Sequence, residues 1–97
     1  MKTKLEIIIF EQRDMVRKNL STLLDKVEDD IMDTYMNNPS ISYIRVNLDK
    51  VISDTYITVK QLEANLDLIY TALIDKGWRV NLFVEDDEVT QYLVVSV

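Results

Sequence analysis

The chemically active side chains of this sequence are seventeen carboxylates and eleven cations, with no histidine and no cysteine among them. Without imidazole there is no general base that titrates near neutrality. Without thiol there is no thiolate nucleophile, no zinc-finger ligand set and no disulfide. Serine and threonine are present, but nothing can activate them in the way a nucleophile requires. Two carboxylates can share acid–base work only where an apolar pocket drives their pKa values apart, and no segment sets such a pair into one. The single glycine, Gly77, rules out a glycine-rich phosphate loop. The chain therefore reads as a non-enzyme that needs no cofactor.

Two acidic clusters remain. Glu85, Asp86, Asp87 and Glu88 are consecutive. Their oxygens suit a hard cation, yet one turn supplies too few converging ligands, and a solvated hairpin turn explains them more simply. No metal site is expected. The second cluster is Asp25, Glu28, Asp29, Asp30 and Asp33. On a helix, Asp25, Asp29 and Asp33 share one side. That side is either a solvated face or a dock for a basic partner.

The net charge is −6. Backbone binding to nucleic acid draws its affinity from counterion release by basic groups, so that class is disfavoured, as is an anionic membrane surface. No apolar run approaches the ~20 residues that span a bilayer, and the short apolar stretch after Lys4 does not make a signal peptide. These features predict a single domain over residues 1–97, cytoplasmic and not membrane-bound.

The elements that must position these groups are set by periodicity. Thr3 and Glu6 have capping-box spacing. After them Leu5, Ile9, Val16, Leu20, Leu23, Leu24, Val27, Ile31 and Tyr35 recur at helical steps, and Asn37-Asn38-Pro39 is a stop signal. The pattern predicts one helix over 3–37. The β-rich run Ile7-Ile8-Ile9-Phe10 offers a competing strand over 5–10, but Glu11-Gln12-Arg13-Asp14 contains no turn chemistry to part a strand from a helix. Residues 41–49 alternate as a half-buried strand, with Ile44, Val46 and Leu48 inward. A connection comes next, with a turn at Ser53-Asp54. A second capping box, Thr58 and Gln61, opens a helix along Val59, Leu62, Leu66, Ile69, Tyr70 and Leu73, which Lys76-Gly77 ends. Residues 78–84 and 89–97 form a hairpin across the acidic turn. The predicted fold is two-layer α+β: two helices on a three-stranded, mainly antiparallel sheet in the order α-β-α-β-β. The hairpin's last strand lies between or beside the other two.

That alternation sends Tyr43 and Arg45, Arg79 and Phe83, and Tyr92 to the sheet's second face. Arginine and aromatic side chains together are typical of interaction hot spots. The same set could stack a base or pair with a phosphate. The plainer alternative is a mixed face, partly solvated or covered by the first helix.

The segment from Leu73 to Val80, with Lys76-Gly77-Trp78, and the tail from Tyr92 to Val97 resemble the C-terminal parts of small α/β accessory proteins of tailed bacteriophages. The resemblance covers roughly the last forty residues. It implies no catalytic residue. It implies a role in binding a host protein, sequestering a small signal molecule or building the particle. The leading expectation is a protein that docks on a partner and alters its activity. The alternatives are an anionic nucleotide trapped by Arg45 and Arg79 at a subunit interface, and a structural component of a particle.

Self-association is also expected. A helix over 3–37 would be on the order of 50 Å long, beyond the reach of a domain this small. Leu5, Ile7, Ile8 and Phe10 would then lie uncovered, forgoing roughly 1.5–3 kcal/mol for each large side chain left in water. A second copy is the simplest cover, as a two-fold dimer.

Overall fold

Two asparagines set the course of the helical layer. In the computed structural model, which describes residues 3–87 and 90–97, α1 (Lys4–Lys18) and α2 (Leu20–Asn37) join at Asn19. The Asn19 amide Nδ2 donates to the Met15 carbonyl at 2.9 Å, and the Asn19 N–H is shared between the Met15 and Val16 carbonyls. A side chain that takes the i−4 carbonyl competes with the helix ladder and can interrupt it. The same device recurs at Asn65, whose Nδ2 donates to the Gln61 carbonyl at 2.8 Å. It divides α4 (Val59–Glu63) from α5 (Leu66–Asp75).

Each of the two expected helices is thus two helices. Residues 5–10 are helical, not a strand. Thr3 accepts from the Glu6 N–H, one half of the expected capping box. The box of Thr58 and Gln61 forms in both directions. Run end to end, Lys4 to Asn37 would reach roughly 50 Å, close to the molecule's longest dimension of 52 Å. The expected stripe position Ile9 is described in its backbone alone.

The expected strand over 41–49 shrinks to β1 (Tyr43–Arg45). The Val46 N–H still bonds the Leu93 carbonyl at 3.0 Å, but the next N–H, of Asn47, goes to the buried Asp30 carboxylate at 3.0 Å. The Asn47 side chain then accepts from the Asp49 and Lys50 N–H groups and caps a helical turn, α3 (Leu48–Val51). Leu48 is therefore helical. The turn at Ser53-Asp54 is present, closed by the Thr55 N–H on the Ile52 carbonyl, with Asp54 at φ 63°.

Helix α5 ends in a Schellman motif. The Trp78 N–H bonds the Leu73 carbonyl and the Gly77 N–H bonds the Ile74 carbonyl, both at 3.0 Å, with Gly77 at φ 93°. The hairpin of β2 (Arg79–Val84) and β3 (Gln91–Ser96) completes the chain's regular structure. Glu88 and Val89, expected in its turn and last strand, lie outside the described residues.

The sheet has the order β1-β3-β2 and is antiparallel throughout. The hairpin's last strand is thus central. Ile44, Val95 and Val80 align across it and are buried, as is Leu93. Helix α2 packs behind β1, and α5 behind β2 and β3. With Val16, Leu23, Val27, Ile31, Leu62, Leu66, Ile69 and Leu73 these side chains make one core between helices and sheet. The fold is the expected two-layer α+β arrangement, with more breaks in its helices.

Candidate docking face of the sheet

The strand registers bring the five expected residues onto one face. Tyr43 aligns with Ser96 and Arg79, Arg45 with Val94 and Asn81, and Tyr92 with Phe83. All of these point away from the buried row, because side chains alternate across a strand. The helices pack on the other face, so none covers this one. Tyr43 is 64% exposed, and Arg45, Arg79 and Phe83 are exposed as well. Tyr92, on the central strand, is half-buried.

The face has an ordered centre. The Phe83 and Tyr92 rings stack with centroids 5.4 Å apart and planes 20° from parallel. The Arg45 guanidinium lies 4.1 Å from the Tyr92 ring centroid and also forms an ion pair with Glu85. The stack and the cation over it fix three side chains that would otherwise be free on a solvated sheet. Arg79 has no ion-pair partner among the described residues. It sits one pleat row from Arg45 and two strands away, about 10 Å across the sheet.

Beside this centre is a depression of about 420 Å³ whose lining includes Arg45, Tyr92, Asn47, Glu63 and Gln91. The Gln91 N–H points to the Glu63 carboxylate at 3.4 Å. Sequence reasoning did not find Glu63, Gln91 or the role of Glu85. They meet Arg45 and Tyr92 only through tertiary packing of α4 and of the strand ends, which no local pattern announces.

The acidic side of α2 is a separate surface on the helical layer. Asp25, Asp29 and Asp33 are all exposed. Asp29 and Asp33 border a depression of about 410 Å³ that also holds Lys26 and Lys50, so the acid here is partly balanced. Lys26 bonds the Ser53 carbonyl, and Lys50 lies 3.6 Å from Asp30. Next to Asp25, Glu28 binds Lys76 at 2.5 Å. That bond, joined by the field of Asp25, holds the Lys76 ammonium above its ordinary pKa. Asp30, read from sequence as one of the acidic cluster, is buried and serves the chain itself by holding the Asn47 N–H. Among the described residues no group of three or more acidic side chains is arranged to hold a metal ion. No helix described is long and apolar enough to cross a membrane.

Leu5, Ile7, Ile8 and Phe10 occupy the first turns of α1 and are 66%, 45%, 50% and 54% exposed. They are remote in the chain from the sheet face, and α1 packs on α4 and α2 and reaches α5 through Arg13. No family model, curated protein or solved structure matches the chain.

Proposed function

We propose that this protein is a non-enzymatic interaction module that docks another protein on the outer face of its sheet and alters that partner's activity. The observation that carries the reading is the exposed row of Tyr43, Arg79 and Phe83 around the ordered Arg45–Tyr92 pair. Aromatic and arginine side chains held in place at the centre of an uncovered patch are what a partner's hot spots pair with. The fitting partner offers apolar side chains to cover Tyr43 and Phe83 and a carboxylate for Arg79. The C-terminal resemblance extends the proposal to an accessory factor of a bacteriophage or mobile element acting on a host protein.

A second reading is an anionic nucleotide bound by Arg45 and Arg79. The depression beside Tyr92 favours it. It ranks lower because Arg45 is already neutralised by Glu85.

The test is affinity capture with the wild-type protein and with the double variant Tyr43→Ala/Arg79→Ala, both verified as folded by circular dichroism. Support is a protein retained by the first and lost by the second. Equal retention removes this face from consideration. A thermal-shift panel of nucleotides separates the second reading, since ligand at 100 times its Kd adds about 2.7 kcal/mol of stability.

A further inference from the structure

The first turns of α1 are apolar nearly all round. About 100° separates successive residues of a helix, and Leu5, Ile7, Ile8 and Phe10 fall on several sides of it while all remain exposed. A soluble helix normally confines its apolar residues to one stripe, and one that is apolar all round is a helix meant to be covered. The domain covers only one side. Val16 is buried, and Arg13 reaches across to Asp67 and Asn65. Opposite these two, at the same 100° step, lie Lys4, Ile7 and Glu11, with Ile8 and Phe10 on the flanks, while Leu5 falls on the side of Val16.

We infer that this outward side of α1 is the seam of an antiparallel two-fold dimer of the chain. The occupant is a second copy because the seam complements itself. Placing the two-fold axis between Ile7 and Ile8 sets the isoleucines of both copies at the centre. It also brings Lys4 opposite Glu11 of the second copy, twice over. Neither Lys4 nor Glu11 has an ion-pair partner in its own chain among the described residues. A parallel pairing would oppose Lys4 to itself and loses this match. The area also suits a dimer. Ile7, Ile8 and Phe10 together expose on the order of 300 Å² per copy, at the size where a surface patch stops being incidental. Two such patches with their flanking charges approach the ~1,000 Å² of a specific interface. This dimer does not rest on the sheet-face reading, since α1 and the outer sheet face belong to different surfaces.

The experiment is sedimentation velocity on the full chain at about 50 μM. A dimer is expected for wild type. Ile8→Glu should give a monomer with an unchanged circular dichroism spectrum, since the side chain is half exposed in the single copy. Charge reversal tests the register: Lys4→Glu and Glu11→Lys should each raise the dissociation constant by roughly ten-fold, and the double reversal should return it to within about three-fold of wild type. A wild-type monomer overturns the proposal. So does a dimer that survives Ile8→Glu, or a double reversal no tighter than either single one.

Discussion

The Arg13 guanidinium of α1 grips the Asp67 carboxylate of α5 with both terminal nitrogens, Nη1 to Oδ1 at 3.2 Å and Nη2 to Oδ2 at 2.7 Å. The same Nη1 reaches the buried Asn65 Oδ1 at 3.3 Å. Arg13 thereby ties the middle of α1 to the joint between α4 and α5. It fixes which side of α1 the domain uses, and so which side is left for a second copy.

This pair makes a pH prediction. The hydrogen bond from Arg13 is the main reason the Asp67 carboxyl sits below its ordinary pKa of 3.8. A carboxyl whose folded pKa is lowered contributes stability that is fully present above the unfolded value and is lost as pH falls through the folded one. Both partners are partly solvated, with 37% and 52% of their side chains exposed, so screening limits the pair to about 0.5–1 kcal/mol. Asp67→Asn should therefore be less stable than wild type in urea at pH 7. The difference should shrink as pH is lowered below the ordinary carboxylate value. A difference that stays constant down to about pH 2 would show that the ion pair contributes nothing.

The two asparagine joints should respond differently to the same substitution. Asn19 is exposed and, among the described residues, its side chain serves the Met15 carbonyl. Asn19→Ala should change stability by a few tenths of a kcal/mol at most, because alanine's helix propensity offsets the lost bond. Asn65 is buried and joins the Gln61 carbonyl to Arg13. Asn65→Ala leaves both without that partner and should cost about 1–3 kcal/mol. Chemical denaturation of the two variants side by side measures the contrast. Equal losses would mean that burial does not distinguish the joints.

The same asparagines mark how far the sequence could be read. Helical periodicity at Leu20, Leu23, Leu24, Val27 and Ile31 continues smoothly across Asn19 from Val16, so hydrophobic pattern alone predicts one helix. The break comes from a side chain competing for a carbonyl, an event that leaves the apolar spacing intact. The end of β1 was hidden for a related reason. Val46, Asn47 and Leu48 alternate as a strand should. What ends the strand is Asp30, seventeen positions earlier in the chain, taking the Asn47 N–H. By contrast, the sheet face was legible, because a period of two fixes which side chains share a surface. Tyr43, Arg45, Arg79, Phe83 and Tyr92 needed no register to be grouped. Their neighbours Glu85, Glu63 and Gln91 needed the tertiary packing.

The helix stop at Gly77 is a backbone requirement with no clash against the rest of the fold. At φ 93° a residue with a side chain is strained, and a Cβ at this position would meet nothing within 4 Å. Gly77→Ala should therefore lose about 1–2 kcal/mol through conformation alone. Truncating neighbouring side chains should not relieve it. Thermal unfolding of Gly77→Ala measures the loss, and a variant as stable as wild type would mean the Schellman turn does not hold the start of β2.

The acidic side of α2 should matter for encounter and not for folding. Asp25, Asp29 and Asp33 are exposed and form no ion pair with another described residue. Replacing all three by Asn should move stability by under about 0.5 kcal/mol each. If a basic partner docks there, the triple variant should associate more slowly and with a flatter dependence on salt. Stopped-flow association at low ionic strength decides this. Unchanged rates assign the surface to solvation alone.

The last prediction concerns the ordered centre of the sheet face. Phe83 stacks on Tyr92 from the neighbouring strand, and Arg45 lies over Tyr92 from the strand on its other side. Aromatic cross-strand pairs are coupled by about 0.5–1.5 kcal/mol beyond the area they bury. An exposed cation over a ring adds about 0.5–1 kcal/mol. A double-mutant cycle of Phe83→Ala and Tyr92→Ala should show the first coupling, and one of Arg45→Ala and Tyr92→Ala the second. Glu85→Gln separates the ion pair from the stacking. It removes the charge that holds Arg45 at one end, so the coupling of Arg45 to Tyr92 should fall while that of Phe83 to Tyr92 stays. Were both couplings near zero, the rings and the guanidinium would move independently on the sheet. A partner would then have to order them on binding, and the face would lose the rigidity that makes Tyr92 its natural centre.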